Sequence, residues 1–304
     1  MSRRHRFTGG MVIAIALLSL GGPSLAQQPP QAQPIAVQQV KGNVYMVKGG
    51  SGANTGFFVG DKEVVVIDTK MTAESAQRMI EEIGKLTAKP IAGIILTHSD
   101  GDHVNGLSGF PKGLKIYGHP QTKKDMEDAS KQPNLQFLMD YLPNQACSPC
   151  EASRMSAMLV RMGHEDIQLY FFGAAHTSGD LVVYFPVEKV AFVGDLVFVG
   201  RDPLIHRQKG GTSLGLARNL DAMLALDADT FIPGHADPLT KQDIRGVAAS
   251  IKEKQDKIKG MIDDGRPLDE IKKAFGVEDR PSQPGRPRFL SLIEVIYLDL
   301  TEKK

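Results

Sequence analysis

Cysteine is scarce in this chain: Cys147 and Cys150 are the only two in 304 residues. That excludes a disulfide-dense scaffold and a four-thiolate zinc site, so a metal here must be held mainly by His and carboxylate. Charge of one sign is also lacking. Lys+Arg (36) balance Asp+Glu (35) to a formal net charge of +1, without the basic excess of a nucleic-acid-binding surface. Long hydrophobic runs are missing; Met11–Leu20 is about half the ~20 residues needed to cross a bilayer. There is no nucleophile elbow of the hydrolase type, since the one Gly-x-Ser-x-Gly string, Gly211-Thr-Ser-Leu-Gly215, opens a helix and reads first as its N-cap; there is also no Gly-x-x-x-x-Gly-Lys phosphate loop and no internal repeat. What the composition does hold, 41% hydrophobic and 23% charged residues, excludes a wholly disordered chain. The length suits one large domain or two ordinary ones.

Residues 1–26 have the layout of a secretory signal. Arg3, Arg4 and Arg6 open it, the short apolar run follows, and small residues ending at Ala26 precede Gln27. Cleavage after Ala26 and a periplasmic or secreted location are expected, with no membrane insertion of the mature chain; an uncleaved anchor is the alternative. Residues 27–39 are rich in Gln and Pro and read as a flexible leader.

Short β-rich runs broken by Gly and Asp follow at Val44–Val47, Gly56–Val59 and Glu63–Asp68. Thr72–Lys85 reads as a helix capped by Thr72. Ile91–Thr97 is a buried-strand pattern, and Leu114–Tyr117 a short strand. Residues 121–160 are polar and mixed, suiting helix or lid. Strands resume at Ile167–Phe172, Leu181–Phe185 and Val190–Val193. Leu214–Leu226 is helical, Thr230–Ile232 is a strand, and Lys241 begins helical patterning. Strands arriving in runs favour a two-sheet sandwich flanked by helices over an alternating parallel sheet.

The chemistry-bearing residues sit where strands end. His98-Ser-Asp100-Gly-Asp102-His103 packs four candidate ligands into six residues after an apolar strand. His176 lies between two strands, Asp195 ends another, and His235 follows a fourth. Singly, each has a bland reading as a solvated turn residue. Together, seven His and Asp side chains at four strand–loop junctions match two metal ions with three terminal ligands each and one shared carboxylate. Imidazole with carboxylate suits zinc, iron or manganese.

On these motifs the chain resembles the metallo-β-lactamase-fold hydrolases, the superfamily of glyoxalase II, lactonases and β-lactamases, from about Val40 to His235. The resemblance implies an α+β fold, a four-layer αββα sandwich over 40–240, with a C-terminal helical extension at 241–304. It implies a first metal on His98, Asp100 and His176, a second on Asp102, His103 and His235, and Asp195 between them. Asp68 falls where the family commonly has an Asp supporting the metal loop. One or two divalent ions are implied, zinc first. Asp100 departs from the family, which has His there; the carboxylate is harder and shifts preference toward iron or manganese.

The expected function is therefore a secreted metal-dependent hydrolase. A metal-bound hydroxide would attack a carbonyl of a small molecule, a β-lactam, lactone, thioester or other ester. By resemblance Asp102 would both bind metal and orient the nucleophile or relay its proton. β-Lactamases usually carry Cys or Ser where this chain has Asp195, which favours a more general hydrolase. Two alternatives stay open. The flavodiiron branch of the fold carries a carboxylate at the position of Asp100, though no flavodoxin domain is recognisable; the other is a non-catalytic binding protein.

Weaker candidates complete the reading. Cys147 and Cys150 suit a local disulfide. His119 and His164 read as surface or loop residues. His206, with Arg201 or Arg207, is a candidate wall of the substrate pocket. The apolar stretch Phe289–Leu300 is expected to pack on the sandwich or on a second subunit, which leaves a homo-oligomer open.

Overall fold

The computed structural model describes residues 33–129, 139–141, 156–162, 165–278 and 288–302. The signal-like segment 1–26, residues 27–32 of the leader, His164 and the Cys147–Cys150 pair lie outside them.

Seven strands pair in chain order in one sheet: β1 (Gln33–Lys41), β2 (Val44–Gly50), β3 (Thr55–Val59), β4 (Val64–Ile67), β5 (Ile91–Ile95), β6 (Lys115–Gly118) and β7 (Met139–Tyr141). Pairing is antiparallel from β1 to β4 and parallel from β4 to β7. The other sheet holds β8 (Ser156–Met162), β9 (Glu165–Phe171), β10 (Val182–Phe185), β11 (Val190–Gly194) and β12 (Thr230–Pro233), in the order β12-β11-β10-β9-β8. Its β11–β12 pair is parallel and the rest antiparallel. The helices are α1 (Ala73–Leu86), α2 (Gly101–Val104), α3 (Pro120–Ala129), α4 (Ser213–Ala225), α5 (Lys241–Asp263), α6 (Leu268–Ala274) and α7 (Leu292–Thr301).

Alternation along the strands builds the layers, because successive side chains point to opposite faces. Val44, Met46, Phe58, Val65, Ile67 and Ile95 of the first sheet pack against Leu169, Val183, Phe185, Phe192 and Ile232 of the second. Their neighbours Val47, Phe57, Val64, Val66 and Ile94 face the opposite way, onto Ala76, Met79 and Ile83 of α1. On the far side Val182, Ala191, Val193 and Phe231 meet Leu216 and Leu220 of α4 and Ile244, Ile251 and Ile258 of α5. The result is helix, sheet, sheet, helix: the αββα sandwich.

Three expectations change. Residues 33–39, assigned to the leader, form part of β1 and pair with β2 through the backbone; the extended chain uses the sheet's free edge whatever its Gln and Pro content. Residues 241–304 are not an extension of a finished domain. The seven-residue recurrence of Ile244, Ile251 and Ile258 lays one stripe of α5 on the second sheet, and Leu292, Ile293, Val295 and Ile296 of α7 join the same core. The boundary at 240 therefore cuts a layer, and the apolar C-terminal stretch packs within its own chain. The metal loop itself is not all loop: from Gly101 it winds into α2, which carries Asp102 and His103.

Candidate metal centre

Asp68, directly after β4, adopts φ 57°, a left-handed conformation that Asp tolerates better than most residues. The turn aims its carboxylate across to the end of β5. It accepts from Thr97 N and Thr97 Oγ1, both at 2.8 Å, and from His103 Nδ1 at 2.7 Å. The Thr97 hydroxyl spends its proton on Asp68, so it can only accept from His98 Nδ1, 3.0 Å away. His176 Nδ1 donates to the Leu204 carbonyl at 2.7 Å. Three buried imidazoles are thus held with the proton on Nδ1 and the Nε2 lone pair turned inward, the tautomer a metal ligand needs.

All seven side chains expected to bind metal come together. Ligand atoms of His98, Asp100, His176 and Asp195 lie within 4.8 Å of one another, as do those of Asp102, His103 and His235. His176 Nε2 is 3.2 Å from Asp100 Oδ2, and His235 Nε2 is 3.1 Å from Asp102 Oδ2. Asp195 reaches both sets: Oδ1 lies 3.2 Å from His103 Nε2, and Oδ2 lies 3.3 Å from His235 Nε2 and 4.0 Å from His176 Nε2. His98 Nε2, His103 Nε2 and Asp195 Oδ1 are buried without a hydrogen-bond partner, a costly arrangement that cations would relieve. The close approach of the last loop requires glycine: a Cβ on Gly234 would stand 2.2 Å from Asp195 Oδ1 and 2.8 Å from His103 Cε1. The donors and their spacing fit divalent metal.

Electrostatics say the same. Burial presses the His176 imidazole down, but Asp100 and Asp195 lift it to about 9. Asp102 and Asp195 raise His235 to about 9. His103 is held well above the usual value because Asp68 and Asp195 outweigh its burial. His98 goes the other way, pushed well below by burial and by the neighbouring His103. Burial lifts the Asp195 carboxyl, yet His103 and His235 keep it far below the ordinary carboxylate range. Asp100, Asp102 and Asp195, all held below the ordinary carboxylate range, stay ionised and select positive charge at the facing nitrogens, whether proton or metal cation.

The sequence reading missed Lys209. Its ammonium lies 2.7 Å from Asp100 Oδ1 and 3.1 Å from Ser99 Oγ. No motif marks it; a turn in which Lys209 N donates to the His206 carbonyl at 2.9 Å swings it back over the loop. Two expected pocket residues sit elsewhere. Arg207 points away, its guanidinium on Asp299 and Glu302 of the C-terminal segment. His206 is no open wall: it is buried beside Asp100, with Nε2 2.8 Å from Asp100 Oδ2. Arg201 lies over the Phe198 ring, 4.5 Å from its centroid, and that ring stacks on His235. His119, read as a surface or loop residue, lies in the connection between β6 and α3, half-buried and stacked on Phe171 at 4.1 Å.

Sandwich and donor set define a metal-binding hydrolase fold, and comparison with known proteins gives the family. Residues 49–235, more than half the chain, match the metallo-beta-lactamase superfamily model, and the chain belongs to that superfamily, a family of hydrolases. It is 28% identical over 198 residues to the metallo-beta-lactamase type 2 of Elizabethkingia meningoseptica, covering 62% of this chain and 71% of that one. It is 25% identical over 211 residues to the 2,4-dinitroanisole O-demethylase subunit alpha of a Nocardioides species, covering 69% of this chain and 60% of the relative. In a third match, the metallo-beta-lactamase IND-1 of Chryseobacterium indologenes (27% identical, 52% of this chain), the chain also spans less than two thirds of the relative, 63%. Among solved structures, the DIM-1 metallo-beta-lactamase superposes with a TM-score of 0.60 at 16% identity, over 73% of this chain and 99% of that one. These structural matches speak for the fold alone.

Proposed function

We propose that this chain is an exported metal-dependent hydrolase that opens a carbonyl-containing small molecule: a β-lactam, a lactone, a thioester or another ester. The observation carrying this reading is the set of buried, unpartnered nitrogen and oxygen atoms converging on one place, with Asp195 touching both groups. In this reading His98, Asp100 and His176 hold one divalent ion, and Asp102, His103 and His235 hold the other. Asp195 is shared between them. Zinc is the expected metal; iron or manganese is the alternative that the Asp100 carboxylate favours.

Bound divalent ions supply Lewis acidity and make hydroxide available from water near neutral pH. The chain's residues do the rest. Asp68 and Thr97 orient the imidazoles of His103 and His98. Asp102 is partly exposed, with Oδ2 3.1 Å from His235 Nε2, and is placed to take up the proton released as water becomes nucleophilic. The exposed Phe289, 5.2 Å from the His206 ring, offers an apolar contact for the body of a substrate. Export rests on the tripartite pattern ending at Ala26. No helix among the described residues is long and apolar enough to cross a membrane.

Elemental analysis of the purified mature protein, followed by hydrolysis assays on β-lactams, lactones and thioesters, tests the proposal. Bound zinc with turnover of one class supports it. A coloured, redox-active di-iron protein without hydrolysis favours the oxidoreductase branch. No retained metal after reconstitution leaves a binding protein.

A further inference from the structure

His206 occupies the gap that Asp100 leaves. The family's first metal group has an imidazole where this chain has Asp100, and sequence order offers no substitute nearby. The fold does. The His206 backbone is tied to the His176 segment, N donating to the His176 carbonyl at 2.8 Å. This sets the two rings edge to face, with centroids 4.8 Å apart. Phe289 closes the other side, 5.2 Å from the His206 centroid. The side chain is 7% exposed.

Its Nε2 is the informative atom. It lies 2.8 Å from Asp100 Oδ2, close enough to help hold that carboxyl below its ordinary range, but without the alignment of a well-directed hydrogen bond, and no other group satisfies it. A buried nitrogen so poorly satisfied is costly. Two ligands of one small divalent ion, each roughly 2.0–2.2 Å from it, sit about 2.8–3.6 Å apart without bonding to each other. The His206–Asp100 separation and the 3.2 Å between Asp100 Oδ2 and His176 Nε2 fall in that range, and the 3.8 Å to His98 Nε2 lies just beyond it. At the other end of the ring, the Gln208 side-chain amide lies 2.9 Å from Nδ1. A half-turn of that amide, whose oxygen and nitrogen are near-equivalent in shape, puts its oxygen on Nδ1–H and leaves Nε2 free to ligate.

We propose that His206 is a further ligand of the first metal ion, completing a set of His98, Asp100, His176 and His206 with Asp195 shared. This rests on the metal-dependent reading above. It also gives Lys209 a role. The ammonium on Asp100 Oδ1 offsets the charge that the carboxylate adds, while His206 restores the imidazole count. The centre thereby keeps three imidazoles around the first ion despite the altered motif.

X-ray absorption of the zinc-loaded mature protein, together with Co(II) titration of wild type and His206→Ala, tests this. The wild-type absorption data should require five imidazoles over two ions: three on the first and two on the second. In His206→Ala, chelator competition should show one ion weakened by more than about 100-fold, beyond the 10–100-fold of a supporting residue, and an altered Co(II) visible spectrum. The other ion should keep its affinity. Should His206→Ala not fold, the wild-type imidazole count decides alone. Four imidazoles, or two ions held as tightly as before with only KM raised, would make His206 a pocket wall and overturn the inference while leaving the hydrolase reading intact. A wild type that binds no Co(II) or zinc would overturn both.

Discussion

At Asp68 one carboxylate holds the loop strand and one metal-facing imidazole at once, through Thr97 N, Thr97 Oγ1 and His103 Nδ1. Replacing Asp68 by Ala should lower metal affinity by roughly 10–100-fold and cost about 1–3 kcal/mol of stability from the orphaned donors. Chelator competition and denaturant unfolding would read the two effects. Titration gives a second expectation. His176 and His235 have metal-free values raised to about 9, above the ordinary 6.5. Metal must therefore displace protons at neutral pH, and affinity should climb as pH rises toward about 9. Calorimetry in buffers of different ionisation enthalpy should show proton release at pH 7.5. The same two groups stabilise the metal-free fold fully below pH 6.5, and that contribution is lost as pH rises through about 9. At Gly234, where a Cβ would collide with Asp195 Oδ1, Gly234→Ala should reduce bound metal in elemental analysis while leaving the far-UV spectrum unchanged. The seven side chains that come together were visible in the sequence as His and Asp clustered in the connections that follow apolar strands, a pattern that periodicity reveals. Lys209 and the buried setting of His206 were not, since only the folded turn at 206–210 returns them to Asp100.

The C-terminal helices show what element-level patterning conveys and what it hides. The helical patterning from Lys241 onward is plain in the sequence, and the structure adds capping boxes at Thr240 and Ser291, with Asp243 and Glu294 three residues on. That these helices finish the fourth layer is not plain, because an apolar stripe does not name the surface it covers. Asp299 of α7 settles the docking: it accepts from Ser213 N at 2.6 Å and Ser213 Oγ at 2.7 Å, and pairs with Arg207. Asp299→Ala should destabilise the protein by about 1–3 kcal/mol. Ile251→Ala, which empties a fully buried site on α5, should cost about 2–5 kcal/mol. Thermal unfolding of both variants measures this. Arg207 was left between a pocket wall and an ordinary loop residue because a cation near metal-bearing residues suits a substrate anion as well as a helix carboxylate; only the position of α7 chooses.

Across the whole molecule the sandwich was legible because strand alternation and clustered strands both point to two packed sheets. The layer boundary was missed because the matched motifs stop at His235 while the core continues to α7. A chain ending at residue 240 should accordingly be insoluble or unfolded by circular dichroism. The metal centre also bears on the architecture. His98, Asp100, Asp102 and His103 hang from the first sheet, while His176, Asp195 and His235 hang from the second, and both ligand groups draw on each. A bound cation would thus rivet two halves that otherwise meet through oily side chains and a few hydrogen bonds, such as Leu181 N to the Thr97 carbonyl and Asn54 N to the Gly234 carbonyl. Removing it with a chelator would loosen that seam, lowering the melting temperature as well as silencing turnover.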